Sequence, residues 1–119
     1  PLSEAEMNAY REPFPTPESR QPVLAWPNEI PIEGTPARNV EAMMEVADWL
    51  STSDHPKLYL YASPGLIITP DAAAFIPQVM NNVQTRFIGS GIHFIQEDHP
   101  EVIGRNISDW LRDVFGQED

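Results

Sequence analysis

The side chains in this chain best suited to exchange a proton near neutral pH are its three histidines, His55, His93 and His99. No pair of them sits at ligand spacing on one element, and cysteine is absent, so no metal site and no disulfide are expected. His55 precedes a proline in a connecting stretch, and His99 stands before Pro100 at the start of a helix. His93 has the most informative setting, in GSGIHFIQ (89–96). Gly89 and Gly91 permit a tight turn there, while Ile92, Phe94 and Ile95 place apolar surface beside the imidazole. Such flanks would keep the ring from bulk water and favour its neutral form. The residues alone leave two readings open: a loop histidine with a structural part, or the general base of a hydrolase. A base also needs a nucleophile and an orienting acid, and neither is identifiable. There is no G-x-S-x-G nucleophile elbow, no Walker loop and no dinucleotide fingerprint.

The elements that must carry His93 follow from local pattern. SEAEMNAY (3–10) reads as a short helix, with Ser3 and Glu6 spaced as a capping box. Residues 11–36 hold seven of the thirteen prolines and read as an irregular ordered loop, its Phe14, Trp26, Ile30 and Ile32 needing burial. Pro36 after Thr35 opens an amphipathic helix over 36–50. KLYLYA (57–62) predicts a buried strand ended by Ser63-Pro64-Gly65, and QTRFIGS (84–90) a second strand. A helix begins at Pro70-Asp71, with a break or kink at Pro77, and 100–115 carries a clear amphipathic stripe. Helix, strand, helix, strand, helix argues for parallel strands with right-handed crossovers, hence an α/β fold. Two parallel strands are too few to stand alone, because their faces and edges need cover. The chain therefore reads as the C-terminal part of a larger α/β domain, and its start at Pro1 as a boundary.

Ligands in parallel sheets bind beyond the carboxyl ends of the strands. Two loops occupy that edge, SPGLIITP (63–70) and the His93 loop. Leu66, Ile67 and Ile68 either seal the base of the core or line an apolar cavity, and Trp26-Pro27 poses the same choice. Composition narrows the partners. Eighteen acidic against seven basic residues give a net charge of −11, which repels phosphate backbones and makes nucleic acid an unsuitable partner. No apolar run approaches the ~20 residues of a membrane span, and the expected compartment is the cytoplasm.

LAWPNEIPIEGTP (24–36), KLYLYASPGLIITP (57–70) and GIHFIQEDHPEVIG (91–104) together resemble the C-terminal region of haloalkane dehalogenases, nearest the subfamily with a glutamate acid. The resemblance covers nearly the whole chain in order, and the H-F-x-Q-E-D and W-P-x-x-I-P segments are specific in combination. It implies the C-terminal part of an α/β-hydrolase fold: residues 1–35 as part of the helical cap, and residues 36–119 as the last two parallel strands with flanking helices. It further implies hydrolysis of haloalkanes to alcohol and halide through an alkyl-enzyme ester, without a cofactor. His93 takes the position of the base that activates water against the ester. Trp26, Pro27 and Ile30 match the cap-side pocket, Leu66 and Ile67 the loop at the access tunnel, and Ile92 and Phe94 the flanks of the base. The nucleophilic aspartate, the halide-binding residues and the acid belong N-terminal to this region, so the remaining portion of the enzyme is an implied partner, beside the haloalkane and water. Coelenterazine luciferases share much of the pattern. An epoxide hydrolase and a non-catalytic interaction piece compete with these readings.

Overall fold

The structure is a computed structural model that describes residues 2–116; Pro1 and residues 117–119 lie outside the described residues, and with Pro1 the expected boundary. The chain divides into two compact units, the first ending at Val46 and the second starting at Ala47.

In the first unit, α1 (Glu4–Arg11) begins as expected. The Ser3 hydroxyl accepts from the Glu6 backbone N–H at 3.3 Å, and the Ser3 N–H donates to the Glu6 carboxylate at 2.6 Å. The Ser3 hydroxyl also donates to that carboxylate at 2.6 Å, and this bond first, with the one from the Ser3 N–H, holds the Glu6 carboxyl below the usual range. The proline-rich stretch corrects the expectation of an irregular loop. It contains a 3₁₀ turn (Glu18–Arg20) running into α2 (Gln21–Asn28), with Pro27 inside the helix. Helix survives because Pro22 falls in the first turn, where its missing N–H has no intrahelical partner to lose. Pro27 falls in the last turn, where the carbonyls of Trp26 and Pro27 still accept from Glu29 N and Ile30 N at 3.0 and 3.3 Å. Thr35 does not cap the next helix. It forms an antiparallel bridge with Ile32 around Glu33 and Gly34, both at positive φ (51° and 84°). α3 then runs Ala37–Thr52, and the Pro36 carbonyl accepts its first bonds from Asn39 and Val40. The Asn39 amide donates to the Glu29 carbonyl at 2.6 Å, and Arg38 pairs with the Glu29 carboxylate, tying the end of α2 to the start of α3.

The second unit is built on β1 (Lys57–Pro64) and β2 (Val83–Gly91), which pair in parallel as the crossover argument required. Ser63 and Pro64 extend β1 rather than end it. The register runs from Lys57 opposite Val83 to Pro64 opposite Gly91, with a bulge that leaves Ile88 as the extra residue in β2. α4 (Pro70–Val79) forms the crossover, capped by the Thr69 hydroxyl on Ala72 N at 3.3 Å, and it passes through Pro77 without breaking. A short α5 (Ile95–Asp98) and α6 (Pro100–Phe115) follow β2. The hydrophobic core among the described residues is Ala62, Ala73 and Ile88. Phe75, Phe87 and Leu111 stay exposed, so the small core leaves much apolar surface uncovered.

The two ends of this sheet differ in chemistry. At the amino end, the Lys57 ammonium donates to the carbonyls of Ser53, His55 and Asn81 at 2.7, 3.0 and 2.8 Å. Asn81 and Asn82 both donate to Asp54, each at 2.6 Å. His55, with its ring 5.8 Å from Trp49, belongs to this polar lock. The carboxyl end is apolar.

Candidate active site

At that carboxyl end the two strands release their loops side by side, and Gly65 N–H donates to the Gly91 carbonyl at 3.0 Å. Gly65 has φ +66°, and a Cβ there would stand 1.9 Å from the Ile68 carbonyl oxygen. Only glycine lets the chain fold back so closely, which turns the 66–68 aliphatics toward the edge of the sheet. Gly91 is buried, and a Cβ on it would come within 3.0 Å of the Ile95 side chain and 3.2 Å of Ala62 Cβ. The His93 loop therefore lies close against β1.

His93 follows the end of β2 by two residues. Its ring centroid is 4.3 Å from that of Phe94, tilted by 51°. Phe94 adopts φ +35° and ψ 44°, a left-handed conformation that costs a residue with a Cβ about 1–2 kcal/mol. The turn at Phe94 reverses the chain into α5, where the Phe94 carbonyl accepts from Glu97 N at 2.9 Å.

Between the two loops lies a cavity of about 320 Å³ lined by Ile67, Ile68, Ile92, His93, Phe94 and Ile95, with Leu60, Tyr61, Ala62, Gly65 and Gln96. The wall is largely aliphatic, with the His93 imidazole and the Tyr61 phenol as its ionisable groups, which suits an uncharged ligand of modest size. Four of the expected site residues, Ile67, Ile92, His93 and Phe94, are thus brought together. Leu66 projects from the same loop outside this lining. Tyr61 and Gln96 join them from outside the expected set. Tyr61 belongs to a strand whose pattern signals only core, and Gln96 lies three residues past His93, in the short helix that nothing in the periodicity announces.

Trp26 and Ile30 lie in the first unit. There they line a separate apolar pocket of about 450 Å³ with Glu29, Pro31, Asn39, Ala42 and Met43. Pro27 sits within α2. The indole of Trp26 is 79% exposed, which favours a wall over a core for this ring. One expectation needs correction: Ile92 and Phe94 do not shield His93 within this chain. They are 61% and 65% exposed and His93 is exposed too, because the loop meets only β1 and its neighbours on one side. Among the described residues, no cluster of three or more His, Asp or Glu side chains could hold a metal ion. No described helix is long and apolar enough to cross a membrane.

No protein-family model matches the chain. Curated relatives do. The chain is 49% identical over 113 residues to a haloalkane dehalogenase of Sphingobium indicum, a match covering 94% of this chain and 38% of that protein. A second, from Bradyrhizobium diazoefficiens, is 41% identical over 113 residues, covering 95% of this chain and 36% of the relative. Solved structures agree. The haloalkane dehalogenase DbeA from Bradyrhizobium elkani superposes with a TM-score of 0.91 at 42% identity, over 95% of this chain and 39% of that one. DatA from Agrobacterium tumefaciens gives 0.85 at 38% identity, over 96% and 39%. The chain thus spans 36–38% of the length of these curated relatives and is homologous to their C-terminal portion, part of an α/β-hydrolase fold.

Proposed function

We propose that this chain is the base-bearing C-terminal portion of a haloalkane dehalogenase, and that His93 is the base. The observation carrying the reading is the place of His93: beyond the carboxyl end of β2, on the wall of an apolar cavity, in a chain homologous to dehalogenases over 94–98% of its length. In the proposed reaction an aspartate carboxylate from the N-terminal portion attacks the halogen-bearing carbon. The carbon–halogen bond breaks, halide leaves with the bonding pair, and an alkyl ester forms. His93 then takes a proton from water, the hydroxide adds to the ester carbonyl, and collapse returns the carboxylate and the alcohol. The imidazolium releases its proton to solvent, so that alcohol, halide and one proton leave. An aspartate is already ionised near neutral pH, so the base is needed only for the second half. The aliphatic wall is open in this chain, so keeping stray water from the ester requires the N-terminal portion to pack over it.

The same reading gives the remaining site residues their parts. Ile67, Ile92 and Phe94 bound the substrate on the side of this chain, and Leu66 stands beside Ile67 at the entrance. Trp26, Pro27 and Ile30 are assigned to the cap region (residues 1–35) as pocket residues of that region, and residues 36–119 to the hydrolase core. A cytoplasmic setting belongs to this proposal, and fractionation of the source cells checks it.

Ile67→Ala in the complete protein should change the ranking of short and long bromoalkanes, because the side chain lines the cavity and is 73% exposed. Leu66→Ala should have the smaller effect of the two. An unchanged ranking with a large drop in melting temperature would instead make these residues core packing.

The test of the proposal compares two preparations in a bromide-release assay with a short bromoalkane. The 119-residue chain alone should release no bromide above a denatured control, and the chain joined to its N-terminal portion should turn over continuously. Release by the chain alone, or none from the joined protein, would overturn it.

A further inference from the structure

We propose that His99 is a positioning residue for the reaction assigned above: it clamps the loop that carries His93 and thereby fixes where the base stands. The proposal rests on the dehalogenase reading and adds to it a second histidine, one outside the lining of the cavity.

The geometry is that of a joint. The His99 N–H donates to the Ile95 carbonyl at 2.9 Å and closes α5, while the His99 carbonyl accepts from Ile103 N at 3.0 Å and opens α6. The ring reaches back across the loop, and Nε2 lies 2.6 Å from the Ser90 carbonyl oxygen. A carbonyl can only accept, so Nε2 carries the proton and donates it. Ser90 is opposite Ser63 near the carboxyl end of the paired strands, so this bond ties the exit of the His93 loop to its entrance on the sheet.

Gly89 shows how closely the ring is seated. It has φ +129°, and a Cβ there would fall 2.7 Å from His99 Cε1 and 2.9 Å from Nε2. The imidazole thus lies directly on the backbone of β2, in space only glycine leaves free. The second observation is what the clamp restrains. Phe94, whose ring lies tilted against that of His93, is held left-handed at φ +35°, a conformation that relaxes when its surroundings loosen. Without the His99 bond, Phe94 can return to a right-handed or extended conformation, and His93 moves with it. A displacement of about 1 Å at a reacting group costs on the order of 10²-fold in rate.

The test uses the complete protein and a short bromoalkane, with halide release followed by rapid mixing and ester hydrolysis by the decay of the alkyl-enzyme mass. His99→Leu should leave the first-turnover halide burst within about twofold of the parent and slow ester hydrolysis about tenfold or more. His99→Gln, whose amide can reach the same carbonyl, should restore most of that rate. Gly89→Ala, which unseats the ring while keeping His99, should behave like His99→Leu. Melting temperatures are recorded for all of them. Hydrolysis at the parent rate in His99→Leu would overturn the proposal. So would a parallel fall in both steps, or a Gln variant no better than Leu. A parent protein that releases no halide would overturn the dehalogenase reading and this proposal with it.

Discussion

In the complete protein, His93→Ala should release about one halide per active site in the first turnover and then nearly stop. Alkylation needs only an ionised aspartate, which the substitution leaves in place, so the burst survives. Hydrolysis of the ester needs a base, and removing one typically costs about 10²–10⁴-fold. The parent should instead release halide linearly over many turnovers. The two steps separate because His93, on the cavity wall, is assigned to the hydrolysis alone, while the nucleophile is already ionised. A rapid-mixing trace of bromide against time reads both phases. Steady release near the parent rate would remove His93 from the mechanism.

Gly65→Ala should produce the largest structural effect of a single methyl group in the second unit. The added Cβ would stand 1.9 Å from the Ile68 carbonyl oxygen and 3.4 Å from Thr69 Cα, both backbone atoms that cannot swing aside. The left-handed φ of +66° costs about 1–2 kcal/mol for alanine. Relief of the overlap by moving the loop costs about 1–3 kcal/mol more. Denaturant unfolding of the complete protein should therefore show a lower midpoint at an unchanged slope. Ile67 and Ile68 ride on the displaced loop, so KM for short bromoalkanes should rise as well. A midpoint equal to the parent's would mean that the tight return at Gly65 is not needed.

The sequence is most legible where local chemistry alone decides the structure. Ser3 and Glu6 cap α1 because the capping box involves only neighbours, and α6 occupies Pro100–Phe115 as its stripe and its first proline foretell. Parallel pairing of β1 and β2 follows from the alternation of elements. The proline-rich segment misleads when its prolines are counted rather than placed. Pro22 sits in the first turn of α2, where a missing donor costs nothing, and Pro27 sits so near the end of the helix that only one intrahelical bond is lost. Thr35 resembles a cap, yet Glu33 and Gly34 at positive φ draw it into a bridge with Ile32.

At the candidate site, the type of His93 and its glycine flanks point to a loop that lines a cavity in the structure. The left-handed turn at Phe94 and the reach of His99 to Ser90 do not show in the sequence, since both depend on contacts between residues separated along the chain. The shielding expected from Ile92 and Phe94 fails for a different reason. Apolar flanks exclude water only when something packs over them, and in this chain both side chains stay exposed.

The most direct test of His93 as the base of a dehalogenase is the intact mass of the complete His93→Ala protein after mixing with a short bromoalkane. The proposed chemistry requires one added alkyl group per chain, persisting over minutes and mapping to an aspartate of the N-terminal portion, while the parent returns to its unmodified mass. An unmodified variant, or an adduct that clears as fast as the parent's, would contradict the assignment.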